Sequence, residues 1–180
     1  MFDGRAVEPE KLLCCLEAAR WSASSFNEQP WSFMVATRPD EQAFATMIDC
    51  LMDANQAWAQ HAGALIMTVA CKQFARNNKP NRMAEHDLGL AVGNMTLQAT
   101  ALGLSAHQMA GINVSKVATT YKVPDTHAPV TAIALGYAGD GSSPGAEQLA
   151  GRDAGPRSRK PLSEFVFADA WGQTAAVIPA

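Results

Sequence analysis

The polar residues between Ala23 and Trp31 are the part of this sequence whose residue types and spacing best suit chemistry. The stretch reads Ser24-Ser25-Phe26-Asn27-Glu28-Gln29-Pro30-Trp31. Its hydroxyl and amide groups can donate and accept hydrogen bonds along the polar edge of a planar heterocycle. The same residue types are also typical of a turn that ends a helix. On residue chemistry alone the turn is the better-supported interpretation, because polar loops are common.

The cysteines and histidines form no recognisable reactive or metal-binding pattern. No two of Cys14, Cys15, Cys50 and Cys71 have C-x-x-C spacing, and no cysteine–histidine cluster has the spacing of a zinc site. The four histidines lack ligand spacing, so we interpret them as surface or core residues. We therefore predict no metal site and four reduced thiols in a reducing compartment.

The elements that must position the polar stretch follow from hydrophobic periodicity. A helix over residues 9–21 precedes it, and a short apolar strand over 31–36 follows it. Further helices are predicted from about Pro39 and over residues 55–61, 83–102 and 114–121, with strands over 64–71, 105–109 and 130–137. Helices dominate and alternate irregularly with strands. The predicted fold class is α+β, with a small mixed β-sheet flanked by helices.

The predicted helix over residues 83–102 is apolar on nearly every face, which indicates burial within the molecule or in a dimer. It contains Gly89 and Gly93, and each glycine costs a soluble helix roughly 1 kcal/mol relative to alanine. Close packing against another helix would offset that cost. The two glycines therefore predict a contact ridge between subunits or a helix crossing inside one subunit.

Three segments lack regular periodicity or a partner surface. Residues 72–82 are polar and are predicted to form a mobile loop, and residues 139–160, rich in Gly, Ser, Pro and Arg, also read mainly as loop. The tail over residues 161–180 carries Phe165, Val166, Phe167 and Trp171. An apolar tail on so small a domain needs a surface to cover it, and we expect that surface to belong to a partner subunit.

Composition and charge exclude several classes of protein. The chain has 180 residues, 48% of them hydrophobic and 17% charged, with a net charge of −3. These values predict a single globular domain over residues 1–180 and argue against a disordered chain. Nothing in this charge suggests a nucleic-acid partner, which would need a basic face. No segment has the length and hydropathy of a membrane span or a signal peptide, so we expect a cytoplasmic protein.

The segment Ala18-Ala19-Arg20-Trp21-Ser22-Ala23-Ser24-Ser25-Phe26-Asn27-Glu28-Gln29-Pro30-Trp31 closely resembles the signature of the nitroreductase family, P-S-S-x-N-x-Q-P-W after a helix end. Ala23 stands where the family usually has proline, a change that removes no hydrogen-bonding group. This resemblance reverses the preference for a simple helix-ending turn.

Further segments resemble the family in the same order along the chain. Residues 87–104 resemble its long central helix, residues 107–111 its flavin-contacting loop, and residues 129–137 the strand that follows. Residues 157–162 resemble its C-terminal phosphate-binding segment. The similarity covers nearly the whole chain, and an ordered series of motifs is more specific than any one of them. It implies the three-layer nitroreductase fold with a long central helix.

Carried over position by position, the resemblance implies an FMN site. The implied FMN-binding residues are Ser24, Ser25, Asn27, Gln29, Asn55, Met109, Ala110, Gly111, Arg157 and Arg159. Gln29 is the weaker candidate, and the alternative is that its role is structural. For Asn55 the alternative is that it is an ordinary surface residue of a helix. The backbone of Ala110 and Gly111 would approach flavin N5, and Gly111 permits this because it has no side chain. The two arginines would bind the phosphate, although alone such a pair is more often a solvated basic loop.

The resemblance implies a homodimeric oxidoreductase in which FMN takes hydride from NAD(P)H and passes electrons to a nitroaromatic, quinone or enone-like acceptor. The flavin carries this chemistry, so no catalytic side chain is assigned. One alternative is a flavin-cleaving or dehalogenating branch of the same superfamily. The other is a flavin-binding or truncated structural remnant without turnover.

A family segment of the type R-x-S-x-R, which normally shares the FMN phosphate, would precede Phe2-Asp3 and is missing before Met1. Arg5 is an off-pattern substitute. We therefore expect this chain to bind FMN weakly and in a salt-sensitive manner, and we expect an upstream start or a shortened chain.

Overall fold

The computed structural model describes residues 2–140 and 155–179. Contacts divide the chain into two compact units, Met1–Ala150 and Gly151–Ala180, and each is described separately. The predicted loop over residues 139–160 falls mostly outside the described residues. The prediction of one domain over residues 1–180 remains a prediction.

Five helices and four strands are described in the first unit. The helices are α1 (Pro9–Arg20), α2 (Glu41–Asp49), α3 (Asp53–Ala59), α4 (Ala84–Ala101) and α5 (Val114–Thr120). The strands are β1 (Trp31–Thr37), β2 (Ala64–Cys71), β3 (Ser105–Met109) and β4 (His127–Gly136). Each predicted element is present, and most boundaries agree within about three residues.

Local chemistry explains where these helices begin. Pro9 occupies the first turn of α1, where its missing N–H costs no hydrogen bond. Asp40 caps α2 by accepting a hydrogen bond from the Ala43 amide at 3.0 Å, and Asn113 caps α5 through the Lys116 amide at 3.0 Å.

The sheet has the order β1-β2-β4-β3, and all three pairings are antiparallel. The α+β class is confirmed, whereas the mixed strand pairing expected from the sequence is not found among the described strands. Helices α2 and α3 return the chain from β1 to an adjacent strand that runs the opposite way, so no parallel crossover is needed there. Hydrophobic patterns predict strands but not which strands pair.

Helices cover both faces of the sheet and produce three layers. On one face, α2, α3 and α5 pack through Phe44, Met47, Trp58 and Val117 against Leu65 and Met67 of β2. On the other face, α1 and α4 pack through Leu12, Cys15, Leu88 and Met95 against Ile66 and Ile133. Alternate residues of β2 thus serve opposite cores, which explains why this strand is an unbroken apolar run.

Helix α4 is buried on one side only. Leu88, Ala91, Val92 and Met95 lie in the core, whereas Leu90 and Leu97 are exposed, Leu97 by 72%. No described atom would contact a Cβ added at Gly89 or Gly93. The two glycines therefore do not mark a crossing between helices of the described chain. None of the described helices combines the length and hydropathy needed to cross a membrane.

The described part of the second unit, residues 155–179, is short and largely exposed. It has a 3-10 turn at Leu162–Glu164 and a bridge that pairs Phe167 with Thr174. The rings of Phe167 and Trp171 lie 5.2 Å apart between centroids, and Trp171 is 94% exposed. The packing of this tail on a partner subunit remains a prediction.

Candidate functional site

Residues 24–29, the motif loop, connect α1 to β1 through a tight and unusual backbone path. Ser25–Asn27 form a 3-10 turn, and Phe26, Asn27 and Gln29 have φ angles of 57°, 55° and 51°. Non-glycine residues rarely adopt this left-handed region. Such strain persists only where neighbouring contacts hold the backbone in place.

Hydrogen bonds within and behind the loop provide that restraint. The Gln29 amide donates to Ser24 Oγ at 3.0 Å, and Gln29 Nε2 donates to the Asn27 carbonyl at 3.2 Å. From α4, the Asp87 carboxylate accepts a hydrogen bond from the Ser25 amide at 2.9 Å. Gln29 therefore has the structural role proposed as its alternative, whether or not it also touches a ligand.

Asp87 is the functional candidate that the sequence analysis overlooked. Its side chain is almost fully buried in the first turn of α4, where its second oxygen lies 3.0 Å from His86 Nδ1. A carboxylate this buried needs hydrogen-bond donors, and the Ser25 amide is one of them. The sequence could have indicated this residue, because helical periodicity places Asp87 on the same inward face of α4 as Ala84 and Ala91.

The outward side of the motif loop presents polar groups without partners. Among the described residues, none forms a hydrogen bond with the Asn27 carboxamide or the Ser25 hydroxyl. Asn27 is exposed and Ser25 half-buried. A shallow cavity of about 250 Å³ opens beside the loop. It is lined by Ala23, Ser24, Ser25, Met83, His86, Asp87 and Leu90.

Residues 109–113, the Gly111 turn, follow β3 at the other end of the predicted site. The Gly111 carbonyl accepts hydrogen bonds from the Met52 amide at 2.9 Å and from Asn55 Nδ2 at 3.0 Å. A Cβ at Gly111 would overlap Nδ2 of the Asn55 side chain. Glycine at this position therefore lets α3 and the turn pack closely.

The Gly111 turn also presents backbone N–H groups, and Asn55 a side-chain oxygen, without hydrogen-bond partners among the described residues. No described residue accepts a hydrogen bond from the amides of Ala110 or Gly111, and none donates one to Asn55 Oδ1. Met109 is buried in the core with α2 and α3, so any contact it makes outside the core goes through its backbone.

The motif loop and the Gly111 turn lie at opposite edges of one sheet. The motif loop leads into β1 and the Gly111 turn follows β3, with two strands between them. Three strand spacings separate these edges by roughly 14 Å. The loop is also attached to α4 and the turn to α3, which cover opposite faces. The described protomer therefore does not bring these two groups together.

The arginines proposed for the phosphate are described in the second unit. Arg157 and Arg159 are exposed, and Arg159 donates to the Ser158 carbonyl at 2.7 Å. Arg5, considered above as a substitute, forms an ion pair with Asp3 at 2.7 Å and stacks 4.0 Å above the Tyr137 ring. The Asp3 hydrogen bond raises the pKa of Arg5 above its ordinary value.

Comparison with known proteins places this geometry in a family. Residues 1–137 match the model of the nitroreductase family. An uncharacterized 15.4 kDa protein from the ask 5′ region of Mycolicibacterium smegmatis is 35% identical over 132 residues, which cover 73% of this chain and 86% of that protein.

Solved structures share the fold. An oxidoreductase containing FMN has a TM-score of 0.88 and 31% identity, with 96% of this chain and 87% of that chain covered. A nitroreductase family protein from Clostridium difficile has a TM-score of 0.71 and 22% identity, with 94% and 91% covered.

Proposed function

Because the chain belongs to the nitroreductase family, we propose that it is an FMN-dependent oxidoreductase that works as a homodimer. Its reductant is NAD(P)H, and its acceptor is a small nitroaromatic, quinone or enone-like molecule. The similar solved structure that contains FMN supports the choice of cofactor.

The observation that carries the proposal is the pair of hydrogen-bonding surfaces left without partners among the described residues. The motif loop offers the Ser25 hydroxyl and the Asn27 carboxamide, and the Gly111 turn offers two backbone N–H groups beside Asn55 Oδ1. Together they provide donors and acceptors for a ring whose edges carry both nitrogen and oxygen atoms. This donor set fits a flavin.

In this proposal the chain binds and orients the flavin. Ser24, Ser25 and Asn27 hold one edge of the ring, while Asn55 and the Ala110 and Gly111 backbone face the other part. Arg157 and Arg159 bind the phosphate, since guanidinium groups pair well with phosphate oxygens. When bound, FMN supplies the redox chemistry by accepting hydride from NAD(P)H and passing the electrons to the acceptor. Fixed hydrogen bonds cost no reorganisation during the reaction.

The opposite placement of the two surfaces supports a homodimer. The motif loop is attached to α4 and the Gly111 turn to α3, on opposite faces and opposite edges of the sheet, so one copy does not turn both toward a single ring. The motif loop of one copy would then complete the site at the Gly111 turn of the other.

The outer face of α4 and α1 is suited to that contact. It exposes Leu13, Trp21, Leu90 and Leu97, and an apolar groove of about 490 Å³ lies between α1 and Gln98. The open Gly89 and Gly93 positions allow close approach of a second helix. Leu90 also lines the cavity beside Ser24 and Ser25, so this face adjoins the motif loop.

Anaerobic titration of the purified protein tests the activity. The protein, supplemented with FMN, should have a flavin absorbance spectrum that NADH or NADPH bleaches and a quinone restores. A bound flavin that neither nucleotide bleaches would contradict the enzyme and favour a flavin-binding protein without turnover. Sedimentation should show a dimer, and a stable folded monomer at micromolar concentration would contradict the shared site.

A further inference from the structure

A concentrated positive charge lies beside the motif loop. Residues 72–82, the basic loop, contain Lys72, Arg76, Lys79 and Arg82 and no acidic residue, in a chain whose net charge is −3. All four side chains are exposed. Within the described part of the chain, none of them forms an ion pair.

The basic loop has a defined shape. Gln73 pairs with Pro80 in an antiparallel bridge, and the Phe74 amide donates to the Lys79 carbonyl at 2.9 Å. At its base, the Asn81 amide donates to the Lys72 carbonyl at 2.7 Å. These bonds close a hairpin-like turn whose tip carries Ala75 and Arg76, so its cation has a fixed place.

Three contacts attach this tip to the motif loop. The rings of Phe26 and Phe74 meet edge to face, with centroids 5.9 Å apart. The Ala75 amide donates to the Glu28 carboxylate, and the Arg76 guanidinium lies 4.0 Å above the centroid of Phe26. Phe26 is 71% exposed and has the left-handed backbone described above. The loop therefore projects an aromatic ring that carries a cation on its face.

The Arg76 guanidinium lies over the Phe26 ring, and its N–H groups remain available. No described residue accepts a hydrogen bond from its N–H groups. A planar guanidinium held on an aromatic face keeps its in-plane donors free for a bidentate contact with phosphate oxygens. Glu28, the nearby carboxylate, already accepts the Ala75 amide.

We propose that Arg76, stacked on Phe26, binds the pyrophosphate of the nicotinamide dinucleotide and makes the basic loop the reductant-docking element of the site. This inference rests on the proposed function, because it requires that the motif loop borders the flavin. The positive charges of Lys72, Lys79 and Arg82 attract the anionic nucleotide, but among the described residues no hydrogen bond, ion pair or ring contact joins their side chains to the motif loop. The residue thus favours phosphorylated hydride donors over donors that lack phosphate.

Two measurements test the proposal on the FMN-loaded dimer. The first compares kcat/KM for NADH and for reduced nicotinamide riboside, which carries the same hydride but no phosphate, with a neutral quinone as acceptor. The second measures the affinity of ADP-ribose by calorimetry, a readout independent of turnover. Arg76→Gln should lower both the NADH preference and the ADP-ribose affinity about tenfold, as expected for loss of a charge-assisted contact at an exposed site. Higher salt should weaken ADP-ribose binding to the wild type.

Arg82→Gln is the matched control, because it removes the same charge from the same loop without touching Phe26. It should change both quantities by only about twofold, as screened surface charges do. Arg76→Lys keeps the charge and should recover only part of the loss. Equal losses in Arg76→Gln and Arg82→Gln, or no loss in either, would overturn the assignment while leaving the proposed function intact. If no donor bleaches the flavin, the proposed function fails and this inference with it.

Discussion

The motif loop and the Gly111 turn are fixed by different means, although both present unpaired polar groups. The motif loop has three non-glycine residues in the left-handed region and depends on Asp87, which lies 62 positions away from Ser25. The Gly111 turn is joined to neighbouring segments through backbone bonds, such as that between the Met52 amide and the Gly111 carbonyl. The loop therefore depends on its own hydrogen bonds and on the buried Asp87 carboxylate, and the turn depends on close packing around a glycine.

If this comparison is right, Asp87→Ala should have the largest effect on stability and flavin affinity together. It leaves the Ser25 amide without its acceptor, which costs roughly 1–3 kcal/mol, and it frees a strained loop. Urea unfolding and FMN titration should both show the loss. Asp87→Asn retains one acceptor oxygen and should recover much of it. Lower stability with unchanged flavin affinity would reduce Asp87 to an ordinary core residue.

Gly111→Ala should have the next largest effect, through packing in the turn. The new methyl group overlaps Nδ2 of the Asn55 side chain, so this side chain must move. It then loses its hydrogen bond to the Gly111 carbonyl, which lowers stability by about 1 kcal/mol. FMN affinity should fall with it. In the Gly111→Ala/Asn55→Ala double variant the two stability losses should be less than additive. Strict additivity would mean that the overlap is relieved elsewhere.

Asn27→Ala should weaken flavin binding more than it weakens folding. The Asn27 carboxamide has no hydrogen-bond partner in the described residues, so the cost to the free protein is that of placing alanine at a φ of 55°, a left-handed conformation that asparagine tolerates better. In the complex, its loss should weaken FMN binding by roughly tenfold, since one hydrogen bond is worth about 1 kcal/mol or somewhat more. Fluorescence titration with FMN and thermal unfolding measure the two quantities separately. Wild-type flavin affinity in this variant would remove the motif loop from the site.

A mixed dimer tests whether the loop and the turn meet across an interface. Asn27→Ala and Gly111→Ala copies, carrying different affinity tags, are purified as heterodimers. If each site combines the loop of one copy with the turn of the other, one site carries both defects and the second site carries none. Half of the sites should then bind FMN with wild-type affinity. If no site recovers, each copy builds its site from its own residues.

Much of the fold follows from local pattern. Residues 64–71 form β2 as predicted, because a short unbroken apolar run between polar segments suits a strand buried on both faces. Helix α4 forms over Ala84–Ala101, within one residue at each end of the predicted range 83–102. The family assignment from the motif at residues 18–31 is confirmed.

The arrangement of the site could not be predicted in the same way. Strand order is a long-range property of the chain. It decides that the sheet is antiparallel throughout and that Gly111 lies at the edge opposite the motif loop. The contact of Phe26 with Phe74 joins residues in separate loops, and neither sequence segment specifies the other.

The sequence by itself determined the helices and strands, because these depend on residue type and on spacing within one segment. Its motifs also determined the family, and the three-layer fold followed from that resemblance. Only the tertiary structure assigned a role to Asp87, exposed the outer face of α4 and placed Arg76 on Phe26. Those features arise where distant segments meet, and hydrogen bonds and ring contacts between such segments leave no periodic pattern in the chain.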